Sequence, residues 1–416
     1  MSTVLRRIID LGAAGGTRPG SAGDYRFHDN RRYFAETHTT WVRLWADWPT
    51  LQPDPARPPD EPEGAGAAVL QALDDQIRAA NEDGVKVILL LYRFPLWANG
   101  MEALGAQRNT DAEISYAYPD RIAPADWARY VAAGRDRARV NPSRRALELA
   151  IPPEGVGPGS AWAGFFEFAY ARWHRGVAAT GPHVDGVELV NEPNFQLWPQ
   201  RAPAPGDDPF ALGDLTAQGT VAQMMRTAAT IAARHGDDTL IFAPSFADSE
   251  LGGRTVTQYD ELAARLLDEL AAIGHQPGAT TAWAHHNYTD LERRSTETKA
   301  QRLRAVLQGR WTGYSEGAAP TIFMTEGGVR LSKMDAHYPT EDRLAAQALS
   351  WQQGWDRHHT DDGAGAGIAM LAQYTTYAEP RFDCGLLDPW PAVVRRPAYA
   401  VWQSLPPDGT PSSSRI

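Results

Sequence analysis

The feature that most constrains this chain is a repeated alternation of two patterns. Short apolar, β-rich runs alternate with longer segments whose apolar residues recur every three or four positions. Alternation of this kind builds βα units around a parallel sheet. The clearest strand is the near-continuous apolar run 85–92, the pattern of a strand covered on both faces. Further strands are expected at 41–45, 186–190, 239–243, 282–286, 321–325 and 368–372, and residues 7–11 are the candidate for a first strand. Helices are expected at 30–36, 67–81, 126–137, 162–178, 220–234, 258–272, 292–307 and 341–357. In the second of these, Val69, Leu70, Leu73, Ile77 and Ala80 share one face, and Gly84 follows as a stop signal.

A doubly wound open sheet also satisfies βα alternation. The position of the polar residues favours a closed barrel. Strand two runs Val42-Arg43-Leu44-Trp45 and then meets Asp47 and Trp48, and strand four ends in Asn191-Glu192-Pro193-Asn194. Strand six ends in His285-His286-Asn287-Tyr288, strand seven in Thr325-Glu326 and strand eight in Gln373-Tyr374. In a closed parallel barrel all these ends surround one rim, so residues distant in sequence meet at one site. The fold class expected is α/β: a single (β/α)8 TIM barrel over residues 1–405, with a large insertion after strand three at about 93–161. Within it, 141–159 is rich in Pro and Gly and reads as loop, and the polar tail 406–416 is expected to be disordered.

Bulk properties exclude some classes. Apolar residues are 43% of the chain and charged residues 22%, an ordinary soluble composition. A formal net charge of −11 gives no support to a nucleic-acid partner. Near the start, Arg6 and Arg7 precede only Ile8, Ile9, Asp10 and Leu11, too brief a run for a signal-peptide core or a membrane span. A cytoplasmic location without membrane contact is the expectation, although a processed secreted chain reads much the same. Cys384 is the single cysteine, so no intrachain disulfide can form. Oligomeric state leaves no sequence signature.

Glu192 and Glu326 end two strands on nearly opposite sides of the expected barrel mouth. Cleavage of a glycosidic bond needs such a pair, one acid for the departing oxygen and one carboxylate to attack or to activate water. Two other readings stand beside this one. His285, His286, Asp47 and Asp383 are of metal-ligand type, which would suit a metal-dependent hydrolase, but no His-x-His or His-Glu-x-x-His spacing occurs. A non-catalytic carbohydrate-binding protein is the other, for which an acid, a base and an arginine together serve little purpose. The preferred partner is an oligosaccharide or small glycoside, with no cofactor and no metal.

The ordered set of strand-end motifs resembles the large clan of (β/α)8 retaining β-glycosidases, including its cellulase-like and β-xylosidase-like branches. The likeness spans residues 40–402. Asn191-Glu192-Pro193 is similar to the clan's acid/base motif after strand four, and Phe323-Met324-Thr325-Glu326 to its nucleophile strand. Arg43 matches the strand-two arginine beneath the nucleophile, and His286 and Tyr288 match the strand-six His-x-Tyr pair. Phe382-Asp383-Cys384-Gly385-Leu386-Leu387-Asp388 resembles the loop after strand eight, and Arg396-Pro397-Ala398-Tyr399 the start of the closing helix.

The resemblance implies double displacement, with Glu192 as general acid/base and Glu326 as nucleophile. It further implies that Arg43 keeps Glu326 anionic, Asn191 donates to the sugar 2-hydroxyl and Tyr288 donates to Glu326. His286 would orient that tyrosine or touch the sugar. One departure is clear. Where many cellulase-like members place Trp after strand eight, this chain has Gln373-Tyr374-Thr375-Thr376-Tyr377, so Tyr374 or Tyr377 is the candidate stacking face. Trp45, Trp48, Trp97 and Trp198 also lie at or after strand ends, where an indole either stacks on a sugar or packs the core. Asn194 and Gln196 are candidate substrate contacts. Asp47 either binds an equatorial hydroxyl or pairs with a loop arginine. Water and a second sugar serve equally as the final acceptor.

Overall fold

The computed structural model describes residues 5–12, 26–61, 64, 66–100, 148, 153–194, 217–236, 238–248, 258–276, 278, 280–294, 298–308, 310, 321–358, 368–379, 382–389 and 393–406. Eight parallel strands close on themselves in sequence order. They are β1 (Arg6–Asp10), β2 (Trp41–Asp47), β3 (Lys86–Tyr92), β4 (Gly186–Glu188), β5 (Leu240–Phe246), β6 (Thr281–His286), β7 (Ile322–Glu326) and β8 (Ile368–Tyr374). β1 pairs with both β2 and β8, which removes every sheet edge and excludes the open doubly wound alternative. The weak first strand is therefore real, offset by one residue from its expected place.

The helices among the described residues are α1 (Phe27–Glu36), α2 (Trp48–Leu51), α3 (Ala67–Glu82), α4 (Ala161–Trp173), α5 (Ala217–His235), α6 (Tyr259–Ala272), α7 (Tyr288–Arg293), α8 (Lys299–Leu307), α9 (Leu331–His337), α10 (Arg343–Arg357) and α11 (Pro397–Ser404). The single helix expected over 292–307 is two. α7 stops where Arg294 takes a left-handed conformation (φ 49°), and α8 restarts at a Thr298/Gln301 capping box. α9 was not anticipated. Strand four is shorter than its apolar run, because Leu189 and Val190 leave the ladder before Asn191 bridges to Ser245. The expected helix at 126–137, most of the insertion, Gln196, Trp198 and the tail from 407 lie outside the described residues. Among those described, no helix is long and apolar enough to cross a membrane.

Register decides what faces the barrel interior, since paired residues of a parallel sheet point to the same side. Asp10 pairs with Arg43 and Arg43 with Ile88, while Trp45 pairs with Leu90 and Leu90 with Glu188. All six are buried, and the sidedness puts a row of charged groups inside an otherwise apolar barrel. The alternate residues face the helices. Arg7, for example, points outward and donates from Nη1 to the carbonyls of Trp402 (2.7 Å) and Leu405 (2.8 Å), tying β1 to the end of α11. Large aromatics fill the layer between strands and helices: Trp48 stacks on Phe165 at 4.7 Å, and Trp351 meets Trp402 edge to face at 4.7 Å. Burying one such ring is worth roughly 4–6 kcal/mol before conformational entropy is subtracted.

Candidate active site

Strict alternation along β7 would not deliver Glu326 to the interior. Phe323 faces inward, meeting Trp41 and Phe242 edge to face, so Thr325 should face inward and Glu326 outward. Between β6 and β7 the register slips: His285 pairs with Met324, but His286 pairs with Glu326. One residue, Thr325, is therefore extra on β7, and this irregularity turns Glu326 into the barrel mouth. Gly327 follows it where a Cβ would lie 2.0 Å from Asn287 Oδ1 and 2.9 Å from the Ala372 carbonyl, so only glycine fits.

Arg43 organises the floor of the site. It is fully buried, and all five of its N–H donors are used. Nε and Nη2 form a fork with Glu188 (2.9 and 2.8 Å), and Nη2 also donates to Asn191 Oδ1 (2.7 Å). Nη1 is shared between Asp10 Oδ2 (2.5 Å) and Glu326 Oε2 (2.8 Å). With its oxygen held by Arg43, the Asn191 amide has its NH2 group left to offer a ligand.

Glu326 is 8% exposed and accepts from two sides, Arg43 on Oε2 and the Tyr288 hydroxyl on Oε1 (2.8 Å). Burial and the attached carboxylate hold the Tyr288 phenol well above its usual range, so it remains a donor. Arg43 acts on Glu326 in the expected direction, lowering its pKa, but burial outweighs it. Burial raises its pKa to about 7, helped by Asp10 and Glu192 and opposed by His286 and Arg43. A guanidinium divided among three carboxylates is a weak brake on desolvation.

Glu192 sits differently. Its backbone is left-handed (φ 48°), a strained state for a non-glycine residue, and its N–H is fixed to the Ser245 carbonyl at 2.8 Å. Its side chain keeps 24% of its surface exposed, and Oε1 lies 2.7 Å from His286 Nδ1. His286 reaches the other glutamate as well, with Nε2 3.7 Å from Glu326 Oε2. It thus lies between the two carboxylates, fully buried. Burial alone would lower its pKa, but Glu326 and the bond to Glu192 carry it above the ordinary imidazole range. Oxygen atoms of Glu192 and Glu326 lie within 4.8 Å of one another.

The remaining sequence candidates separate. Trp45 is buried in the mouth, donates from Nε1 to Asp10 Oδ1 (2.7 Å) and packs edge to face on Tyr92 at 4.5 Å. Tyr374, paired with Asp10 on β1, is partly exposed. Trp48 is a correction: it is 1% exposed between Phe165 and Trp97, a core residue with no free face. Trp97 is half-buried, and its N–H is taken by the Gln52 carbonyl at 3.1 Å. Of the two readings of Asp47, the loop arginine is the one observed. Arg93 forks onto it, with Nε at 2.7 Å, and the Thr50 hydroxyl adds a third donor. Asn194 spends its amide on Ala247, donating to the carbonyl (2.8 Å) and accepting from the N–H (2.9 Å). Tyr377 is buried with its hydroxyl 3.0 Å from that of Tyr33.

The metal-ligand set read from the sequence does not assemble. His285 is buried on the helix side of β6 against Tyr259, Asp47 is held by Arg93, and Asp383 accepts from the Ser332 N–H. The donors that do converge are Glu192, His286 and Glu326. They suit a shared proton better than a metal ion, because Arg43 Nη1 already fills one side of Glu326 with positive charge.

No family model and no curated protein matches the chain. Solved structures do match. A triple mutant of an endo-β-1,4-glucanase from Xanthomonas axonopodis pv. citri superposes with a TM-score of 0.51 at 15% identity, over 96% of this chain and 98% of that one. A family 39 glycoside hydrolase from the gut symbiont Bacteroides cellulosilyticus WH2 gives 0.51 at 11% identity, over 99% of this chain and 64% of its own length. An endo-glycoceramidase II from Rhodococcus sp., solved as a lactosyl-enzyme intermediate, gives 0.50 at 14% identity, over 97% and 78%. What these barrels share with the chain is the fold.

Three residues of the site escaped the sequence reading: Asp10, Glu188 and Phe382. Asp10 and Glu188 lie inside apolar strands, and the signal that could have found them is that a buried charge requires a partner. Arg43, equally buried in its own strand, is that partner. Phe382 meets both Tyr288 (5.1 Å) and Tyr374 (5.3 Å) edge to face and forms part of the rim.

Proposed function

We propose that this protein is a retaining glycoside hydrolase in which Glu326 is the nucleophile and Glu192 the general acid/base. The observation that carries the reading is the pairing of two carboxylates in unlike surroundings. One is buried and held by Arg43 and Tyr288, the other is partly open beside His286, and their oxygens approach within 4.8 Å. Retaining enzymes hold their carboxyl groups about 5–5.5 Å apart, whereas inverting ones leave about 6.5–9.5 Å for a water.

Glu326, ionised, attacks the anomeric carbon as the bond to the leaving oxygen breaks, and Glu192 delivers its proton to that oxygen. Water then attacks the glycosyl–Glu326 ester, Glu192 takes up the water's proton, and Glu326 leaves as a carboxylate. Tyr288 and Arg43 hold Glu326, and the Asn191 NH2 group is the donor assigned to the 2-hydroxyl. The endo-glycoceramidase that shares the fold was captured as a lactosyl-enzyme intermediate, the kind of species this route requires.

A screen of aryl β-glycosides and α-L-arabinosides tests the reading. Glu326→Gln should abolish turnover. Glu192→Ala should spare substrates with activated leaving groups, slow their second step and respond to azide. NMR of the first-formed anomer should show retention; inversion, or full activity in Glu326→Gln, rejects the assignment.

A further inference from the structure

We propose that Asp10 is a positioning residue: by sharing Arg43 Nη1 with Glu326, it withholds part of that cation's charge from the nucleophile and keeps the nucleophile basic. The inference rests on the reading of Glu326 given above.

The geometry is specific. One guanidinium nitrogen donates to two carboxylates, Asp10 at 2.5 Å and Glu326 at 2.8 Å. Two more donors hold the Asp10 carboxylate, the Gly12 N–H and the Trp45 Nε1–H, each at 2.7 Å on Oδ1. These three donors favour its anion, against burial, which raises its pKa. Gly12 turns the chain back with φ +72°, and this left-handed turn brings its N–H onto Asp10. The remaining Arg43 donors are committed to Glu188 and Asn191 and cannot turn to compensate. Asp10 is fully buried, so it acts on the nucleophile from beneath, through the shared Arg43 and through its own charge.

Nucleophilicity rises with basicity, and a carboxylate that shares its counter-ion is the more basic one. The charged or titratable groups facing Glu326 come from every side of the barrel. They are Asp10 from β1, Arg43 from β2, Glu188 and Glu192 from β4 and its loop, His286 and Tyr288 from β6 and α7, Tyr374 from β8 and Cys384 from the loop beyond. Among these, Asp10 is the one that competes for the same nitrogen.

The test is a carboxyl-carbon NMR titration of Glu326 in the intact protein, with the signal assigned through Glu326→Gln. In Asp10→Asn, Glu326 is left as the one carboxylate on Nη1, and the midpoint should fall by about one pH unit. On an aryl glycoside the variant should then gain about tenfold over wild type in relative kcat/KM well below the limb, and lose rate on the alkaline plateau, where both nucleophiles are ionised and the weaker base is slower. Asp10→Glu, which keeps the charge, should return the midpoint towards that of wild type. If Asp10→Asn does not fold, Asp10→Ser is read in the same way. A midpoint that stays in place or rises overturns the proposal, even if the variant is less stable. Trapping with a 2,4-dinitrophenyl 2-deoxy-2-fluoroglycoside tests the nucleophile separately. A label found elsewhere than Glu326 rejects the assigned chemistry and this inference with it, while a label on Glu326 with an unmoved midpoint rejects Asp10 alone.

Discussion

At the scale of single residues, the site is a problem of too many carboxylates and too little positive charge. Burial pushes Glu326 up to about 7, and it must be ionised to attack. The consequence has a definite sign: kcat/KM should fall as pH drops through about 7, because protonation removes the attacking anion. Tyr288→Phe sharpens this. The hydroxyl stabilises the anion from 2.8 Å, so its loss should move the acid limb to higher pH and lower kcat roughly 10–100-fold. A pH–rate profile in which the limb stays put would show that the bond does not act on ionisation. The two glutamates were legible because each ends an apolar run abruptly. Asp10 and Glu188 were not, because a charge inside an apolar run carries no mark of its partner until the register brings Arg43 beside it.

At the scale of elements, the strand-end loops are pinned to one another before any substrate arrives. Asn194 is the clearest pin. Its amide spans the N–H and carbonyl of Ala247 and joins the loop that carries Glu192 to the end of β5. Asn194→Ala would leave two buried backbone groups unpaired and cost about 2–3 kcal/mol. Denaturant unfolding should show that loss, and kcat should drop with KM little changed, since the acid/base is misplaced and no sugar contact is lost. A raised KM at unchanged stability would return Asn194 to the substrate. Elements were readable from periodicity alone wherever the pattern was long, as in α3 and β3. The irregularities were not. The extra residue at Thr325 and the break at Arg294 arise from packing between neighbours, and strict alternation along β7 assigns Glu326 to the wrong face.

At the scale of the whole molecule, closure of the sheet makes one site from residues spread between positions 10 and 382, and it also traps acids. Asp10, Asp248, Asp290 and Glu326 are all buried with carboxyl groups raised above the ordinary range, chiefly by desolvation. Asp248 reaches about 7 among Asp290 and Glu292, with Lys299, which donates to its backbone carbonyl, opposing the rise. An acid raised on folding binds its proton more tightly in the native state. Stability from such a group is complete below the unfolded value near 4 and declines as pH rises towards 7. For Asp248 the full change is on the order of 4 kcal/mol. A formal net charge of −11 works in the same direction, since self-repulsion grows as the carboxylates ionise. The protein should therefore unfold at higher denaturant concentration near pH 5.5 than near pH 8. Asp248→Asn keeps an acceptor for the Thr289 and Asp290 N–H groups at the start of α7, so it should flatten that slope and gain most at the alkaline end. Equal midpoints for wild type at the two pH values, or a slope unchanged in Asp248→Asn, would mean that water or a rearranged partner solvates this carboxylate in the folded barrel.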